Sequence, residues 1–374
     1  MTEQEILYTM ALTRVPNINL QNLHILLDEL GSATAVFEHR KDVLDILPQA
    51  NKKLLDALAL MEIQIPRAEE ELKFTQKNNI QCLCLKDDAY PIRMRECPDA
   101  PLLVYYKGSA NLNARHVLAI VGTRQITEYG KDLCMHFVRD LSQMCPDALI
   151  ISGLAYGVDI HAQRAALDNG LNTVGVVAHG LDQIYPRAHQ ETARKMLGQG
   201  GLLTEFMSRT NPDKKNFVQR NRIVAGISDC AIIVESALKG GSLITAEIAD
   251  SYHRDVFAFP GRVNDNCSKG CNELIRSNRA QLISNAEDFI QSMGWESEVK
   301  RKEQLGKGIQ QQIFLDLSED EQKIVNCLQK VDNKQINIIS VETGISIGLL
   351  SSLLFNLEMK GVVKMMNGGM YRLL

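Results

Sequence analysis

The chain has 374 residues, 45% of them hydrophobic and 23% charged, a composition that excludes disordered and collagen-like chains. No run of about 18 apolar residues offers a spanning helix. Net charge is −4 and unevenly spread: residues 1–100 hold 11 basic against 16 acidic side chains, residues 101–300 hold 21 of each, and residues 301–374 hold 9 against 8, so any basic site must be local rather than a property of the whole surface.

Residues 1–77 read as a small helical domain. Ile6, Leu7, Met10 and Ala11 recur at helical spacing, as do Leu23, Leu26, Leu27 and Leu30, with Gly31 as a stop. The next segment carries two short strands, around Cys82–Leu85 and Leu102–Tyr106. From Arg115 onward, short apolar runs alternate with helical stretches. The runs are Val117–Val121, Ala148–Ile151, Thr173–Val177, Gly201–Thr204, Cys230–Val234, Asp255–Phe259 and Gln281–Ile283. Runs without polar alternation suit strands covered on both faces, and helical crossovers between them suit a doubly wound, mostly parallel α/β sheet. This places the second domain at 78–295 and a polar linker at 296–312. The tail, 313–374, opens on the capping box Ser318-Glu319-Asp320-Glu321. Helices follow over Ile336–Thr343 and Ser346–Lys360, then a hairpin through Asn367-Gly368-Gly369. Three helices and a hairpin in this order predict a winged helix. Its third helix would bury Leu349, Leu350, Leu353, Leu354 and Leu357; with only Lys360 and Lys364 for charge, it is a poor reader of duplex sequence.

Nine scattered cysteines and eight histidines show no paired ligand spacing, so no metal is expected and the thiols read as free in a reducing compartment. The acidic start Met1-Thr2-Glu3-Gln4-Glu5 lacks the features of a secretory leader, giving a cytoplasmic location as the expectation.

Ligands of an open parallel sheet bind at the carboxyl ends of its strands. Gly122, Thr123 and Arg124 follow the first run, where a glycine and a helix N-terminus offer amide donors to a phosphate. Ser152 and Gly153 follow the second run. Lys214, Lys215, Phe217, Arg220, Asn221 and Arg222 form the densest basic cluster. Lys239, Gly240, Gly241, Ser242 and Thr245 have a phosphate-cradling composition without the ending of a P-loop. No hydrolase elbow or dinucleotide fingerprint is present. His161, His179 and His189 read as structural or solvated, and Asp159 and Asp182 as turn or cap residues.

In order, Val121-Gly122-Thr123-Arg124, Ser152-Gly153-Leu154-Ala155 with Gly157 and Asp159, Gly180-Leu181-Asp182 with Tyr185-Pro186, Phe217 with Arg220-Asn221-Arg222-Ile223, Gly241-Ser242-Leu243-Ile244-Thr245-Ala246, and Pro260-Gly261 closely resemble the DNA-processing protein A (DprA/Smf) family. The resemblance implies an extended Rossmann-like domain, often preceded by a SAM or helix-hairpin-helix-like domain and followed by a winged helix. It implies a non-enzymatic, cofactor-free protein that binds single-stranded DNA, dimerises and loads the RecA recombinase in natural transformation. Carried over, the strand would lie against residues 122–124, 220–222 and 240–242. Three positions depart from the family pattern. Gln163 stands where a histidine is usual, Gly240-Gly241 replaces the usual entry to the serine turn, and Pro16-Asn17-Ile18-Asn19 has asparagines where the hairpin normally has glycines. With the acidic balance of residues 1–100, the first domain reads as a packing or protein-contact unit. The alternative reading is a nucleotide phosphoribohydrolase, with Glu247 polarising an N-glycosidic bond.

Overall fold

The computed structural model describes residues 1–46, 51–295, 317–329, 333–366 and 369–373. All seven apolar runs become strands, within a residue or two of the expected ends. They are β3 (Val117–Val121), β4 (Leu149–Ser152), β5 (Asn172–Val176), β6 (Gly200–Thr204), β7 (Cys230–Ile233), β8 (Asp255–Ala258) and β9 (Gln281–Leu282). With β1 (Gln81–Cys84) and β2 (Leu103–Gly108) they form one sheet in the order β1-β2-β6-β5-β4-β3-β7-β8-β9. β3 to β9 are mutually parallel, whereas β2 joins β6 antiparallel and β1 pairs antiparallel with β2 at that edge.

The unbroken hydrophobicity of these runs has the expected cause. Along β3, Val117, Ala119 and Val121 face one core, while Leu118 and Ile120 face the other. The first core is closed by α7 (Ile92–Arg95), α11 (Lys214–Gly226), α12 (Gly241–Ser251) and α13 (Lys269–Arg276), which supply Met94, Ile223, Val224, Ala246, Ala249 and Leu274. The second is closed by α8 (Glu128–Met144), α9 (Val158–Asp168) and α14 (Ala286–Met293), where Phe137, Phe257, Phe259 and Phe289 meet edge to face. α10 (Gln190–Met196) covers the β5–β6 side.

The N-terminal helices are α1 (Glu3–Thr13), α2 (Leu20–Leu30), α3 (Ala33–Glu38), α4 (Val43–Ile46), α5 (Lys52–Ala59) and α6 (Met61–Lys77). Their core is continuous with the sheet: Met10, Leu26, Leu58 and Met61 share it with Leu102, Leu103, Tyr105 and Met207. In the hairpin before α2, Asn17 adopts the left-handed conformation at φ 63°, which asparagine tolerates. Asn19 instead caps α2, its side chain accepting the Asn22 N–H at 2.8 Å.

The tail comprises α15 (Glu319–Gln329), β10 (Lys334–Gln335), α16 (Ile336–Thr343), α17 (Ile347–Met359), β11 (Val363–Met366) and β12 (Met370–Leu373), with the strands ordered β10-β12-β11. The capping box forms: Ser318 Oγ accepts the Glu321 N–H at 3.2 Å, and Glu321 accepts the Ser318 N–H at 2.9 Å. Gly344 ends α16 at φ 70°. The strand β10 was not anticipated from sequence; two residues are too short a run to signal one. Leu349 is a correction. It is 50% exposed, because α17 turns it away from the face that buries Leu350, Leu354 and Leu357. The proposed linker 296–312 and the turn residues Asn367 and Gly368 lie outside the described residues. No single described helix is long and apolar enough to cross a membrane; α16 and α17 pass such a test only as a pair bent by 108°.

Candidate nucleic-acid interface

Because β3 to β8 are parallel, the loops after them all emerge at one edge of the sheet. β3 continues to β4, β5 and β6 in one direction, and the chain then returns to β7 on the other side of β3. That reversal is the switch point where such sheets open a crevice. The loops after β3 and β7 flank it and are tied together, the Thr123 N–H donating to the Glu235 carbonyl at 2.7 Å. Gly122 is required there: a Cβ would collide with Val158 Cγ2 and lie 2.9 Å from the Glu235 carbonyl oxygen.

Four of the amide donors at this crest, those of Thr123, Gln125, Thr127 and Gly130, are already engaged. Buried Glu235 accepts the Thr127 N–H at 2.9 Å and the Thr127 hydroxyl at 2.5 Å. Thr127 Oγ1 in turn accepts the Gly130 N–H at 3.1 Å, and Thr123 Oγ1 accepts the Gln125 N–H at 3.1 Å. The N-terminus of α8 is therefore capped internally, and a carboxylate already occupies the position a phosphate would take.

What remains outward at this crest is Arg124, which is exposed. Its guanidinium lies 5.0 Å from the centroid of the half-buried Phe217 ring, within cation–π range. Phe217 is 5.9 Å from the ring of Tyr185, itself 45% exposed. Lys214 and Lys215 are exposed in the first turn of α11, one turn before Phe217. Lys239 and Gly241 are exposed at the start of α12, whose N-cap residue Gly240 makes no side-chain cap. A Cβ on Gly240 would collide with Ser236 Oγ, whereas Gly241 meets nothing within 4 Å.

Six other expected contacts face inward. Ser152 is fully buried, its hydroxyl donating to the Ile120 carbonyl at 2.6 Å. Buried Gly153 sits against the Arg220 guanidinium, leaving no room for a Cβ. Arg220 is 4% exposed and donates to the carbonyls of Gly153, at 2.7 Å, and Val176. Burial pulls its pKa down to about 10, with Asp159 acting in the opposite direction. Arg222 is 6% exposed and pairs with the nearly buried Glu205 at 2.5 Å while donating to the Asp99 carbonyl. Ser242 and Thr245 are buried, the Ser242 hydroxyl donating to Ser236 Oγ at 2.8 Å. Asn221 is half-buried. Arg-Asn-Arg reads as a cluster in sequence, but one helical turn points both guanidinium groups into the fold, where they tie crest carbonyls and a carboxylate together.

The acidic and imidazole groups serve the scaffold. Asp159 accepts the Gly153 and Ala155 N–H groups at 3.0 and 3.4 Å, the turn duty expected of it. His179 donates from Nδ1 to the Gly180 carbonyl at 2.8 Å and accepts the Tyr185 N–H on Nε2 at 3.1 Å, which fixes a neutral tautomer; burial lowers its pKa. His189 holds the Leu154 carbonyl at 2.8 Å. Glu247 is exposed on α12 and pairs with Arg279 at 3.4 Å, an arrangement that gives it no part in the crest. Tyr185 and the Thr127–Glu235 cap were not assigned to the site from sequence. Tyr185 and Phe217 are 32 positions apart, and no local spacing announces their approach.

Comparison with known proteins gives a consistent result. A family profile described as DNA recombination-mediator protein A matches residues 81–294. A putative DNA processing protein DprA of Mycobacterium tuberculosis is 31% identical over 319 residues, covering 82% of this chain and 80% of that protein. The crystal structure of DprA from Streptococcus pneumoniae superposes with a TM-score of 0.65 at 31% identity, covering 78% of this chain and 98% of that one. A Helicobacter pylori DprA structure, described in terms of a single-stranded DNA binding mode, superposes with a TM-score of 0.52 at 33% identity over 58% of this chain and 96% of that one. The chain belongs to the DNA recombination-mediator protein A family, the DprA/Smf proteins.

Proposed function

We propose that this protein binds single-stranded DNA along the crest edge of its sheet and acts as a recombination mediator. The observation that carries the reading is the exposed Arg124 stacked over Phe217, with Tyr185 alongside and Lys214, Lys215 and Lys239 flanking. Cations that follow a backbone, combined with rings that accept any base, are what sequence-independent strand binding requires. The uncapped start of α12, with Gly241 open, offers amides to a phosphate. The binding set is thus Arg124, Lys214, Lys215, Phe217, Asn221, Lys239, Gly240 and Gly241, with Tyr185 added. Gly122, Thr123, Ser152, Gly153, Arg220, Arg222, Ser242 and Thr245 form its frame.

The rest of the reading follows the family. The chain is divided into a SAM or helix-hairpin-helix-like unit (1–77), the DNA-binding unit (78–295), a linker (296–312) and a winged helix (313–374). It works in the cytoplasm as a homodimer, without cofactor or enzymatic activity, protecting incoming DNA and loading RecA during natural transformation. The helical hairpin before α2 is assigned to packing, because Asn19 uses its side chain on its own helix. The winged helix is assigned to a partner contact, because α17 exposes Leu349, Phe355 and Met359 rather than cations.

The test is titration of fluorescent oligothymidine at rising salt. Arg124→Ala is expected to lower affinity by about tenfold with an unchanged melting temperature, and Phe217→Ala to lower it by about 1–3 kcal/mol, the usual worth of one base on one ring. Unchanged affinity in both variants would overturn the proposed groove.

A further inference from the structure

At the opposite edge of the sheet, three side chains converge on one point. His116 precedes β3, and Cys145 and Asp147 lie in the Cys145-Pro146-Asp147 turn between α8 and β4. Cys145 Sγ is 3.2 Å from His116 Nδ1 and 3.4 Å from Asp147 Oδ1, and His116 Nδ1 is 3.3 Å from the same Asp147 oxygen. His116 and Cys145 are buried, 8% and 2% exposed, while Asp147 opens to solvent.

Hydrogen bonding accounts for two sides of this triangle, since Asp147 Oδ1 can accept from both His116 Nδ1 and Cys145 Sγ, but not for the third, the 3.2 Å approach of Cys145 Sγ to His116 Nδ1. One imidazole nitrogen faces both other groups, and a single nitrogen offers either one N–H or one lone pair. A proton relay would need the two partners on different ring nitrogens. A cation at the centre satisfies all three at once. Tetrahedral zinc, with ligand bonds of ~2.0–2.3 Å, sets its ligands about 3.3–3.6 Å apart, close to the distances found here. The mixture of thiolate, imidazole and carboxylate suits zinc better than a hard cation such as magnesium.

The surroundings fit a built site. The Cys145 N–H donates to the Leu141 carbonyl at 2.7 Å, and the Ala148 N–H donates to the Cys145 carbonyl at 3.1 Å, so the turn itself holds both ligands in place. The Trp295 ring packs on His116 with centroids 4.7 Å apart and fixes the imidazole plane. Its own indole N–H, buried, has no acceptor among the described residues. The neighbouring cation, Arg115, is drawn toward Glu342 at 3.9 Å.

We propose that His116, Cys145 and Asp147 form a zinc site with one open position on the solvent side, filled by water. Binding releases the thiol proton of Cys145 and joins the α8–β4 turn to the start of β3. The site lies away from the crest and is independent of DNA binding.

The test uses the full chain, stripped with a chelator and titrated with Co2+ and then Zn2+. One equivalent of Co2+ is expected to produce a thiolate charge-transfer band with four-coordinate visible bands, and Zn2+ is expected to bleach both. Cys145→Ala should abolish the charge-transfer band, whereas Cys267→Ala, at a thiol remote from the triangle, should keep it. Asp147→Ala changes an exposed side chain and leaves the core intact; it should weaken Co2+ binding by about tenfold or more. No charge-transfer band in the unmodified chain, its persistence in Cys145→Ala, or unchanged affinity in Asp147→Ala would each overturn the site.

Discussion

Arg222 lies 2.5 Å from Glu205, and both side chains keep less than a tenth of their surface in water. Burial pushes the Glu205 carboxyl upward, and Arg222 opposes that shift. Removing the guanidinium leaves an uncompensated buried carboxylate, a change that costs about 3–5 kcal/mol. Arg222→Ala should therefore lower the denaturation midpoint sharply, as read by urea unfolding, whereas Arg124→Ala should leave it unchanged and lower only DNA affinity. The opposite pattern would mean that the two arginines have been assigned the wrong duties. Gly122→Ala belongs with Arg222: its Cβ would press on Val158 Cγ2 and on backbone at Glu235, so a loss of stability should precede any loss of binding. At this scale the sequence names the right residue types. It does not tell an inward arginine from an outward one, because that depends on where α11 rests against the β5 and β6 crests.

Among the elements, the start of α8 shows how a phosphate-like motif can be filled from within. Glu235, at the end of β7, reaches across the switch point and caps α8 through both the hydroxyl and the amide of Thr127. Glu235→Ala leaves the amide and hydroxyl of the exposed Thr127 to water, so the loss is that of a helix cap, about 1 kcal/mol, measurable by thermal unfolding. A gain in DNA affinity without that loss would instead mean that the carboxylate blocks an anion site. The Ser318–Glu321 box, by contrast, was legible in sequence because both partners are three residues apart, and Ser318→Ala should cost about 1 kcal/mol. Caps made by neighbours can be read from a chain; caps made by a residue 108 positions away cannot.

Across the whole molecule, the tail docks on the amino ends of the strands, remote from the crests. Arg254 donates to Asn337 at 2.7 Å and to the Arg93 carbonyl at 2.7 Å, while Arg93 forms a buried ion pair with Asp229 at 2.6 Å. Gln335 donates to Asp255 at the same seam. Burial pushes the Asp255 carboxyl up to about 7, with Asp229 adding to the shift and Arg254 opposing it. An unfolded aspartate loses its proton near pH ~4. Between pH ~4 and about 7 the folded chain therefore holds more protons than the unfolded one, and stability falls as pH rises through that window before levelling off. Asp255→Asn should flatten this fall in urea unfolding series between pH 4 and 8; an unaltered slope would remove Asp255 as its cause. DNA binding, at the far edge, should respond to salt instead. Arg124→Ala should reduce the slope of log affinity against log salt by about 0.7, the share of one neutralised phosphate on a single strand.

The strands, most of the helices and the order of the crest motifs were legible in the chain, because each is set by local periodicity, caps and turn residues that act over a few positions. The two-sided core follows from the same cause, since an uninterrupted apolar run such as Val117–Val121 has no face it can leave in water. Which crest side chains face solvent was settled only by the tertiary structure. Arg220 and Arg222 turn inward because crest carbonyls and Glu205 converge on them from other elements, and Tyr185 meets Phe217 because β5, β6 and α11 bring their ends together. The meeting of His116 with Cys145 and Asp147 has the same origin, for contacts between distant segments depend on how strands line up side by side, and no spacing along the chain records that.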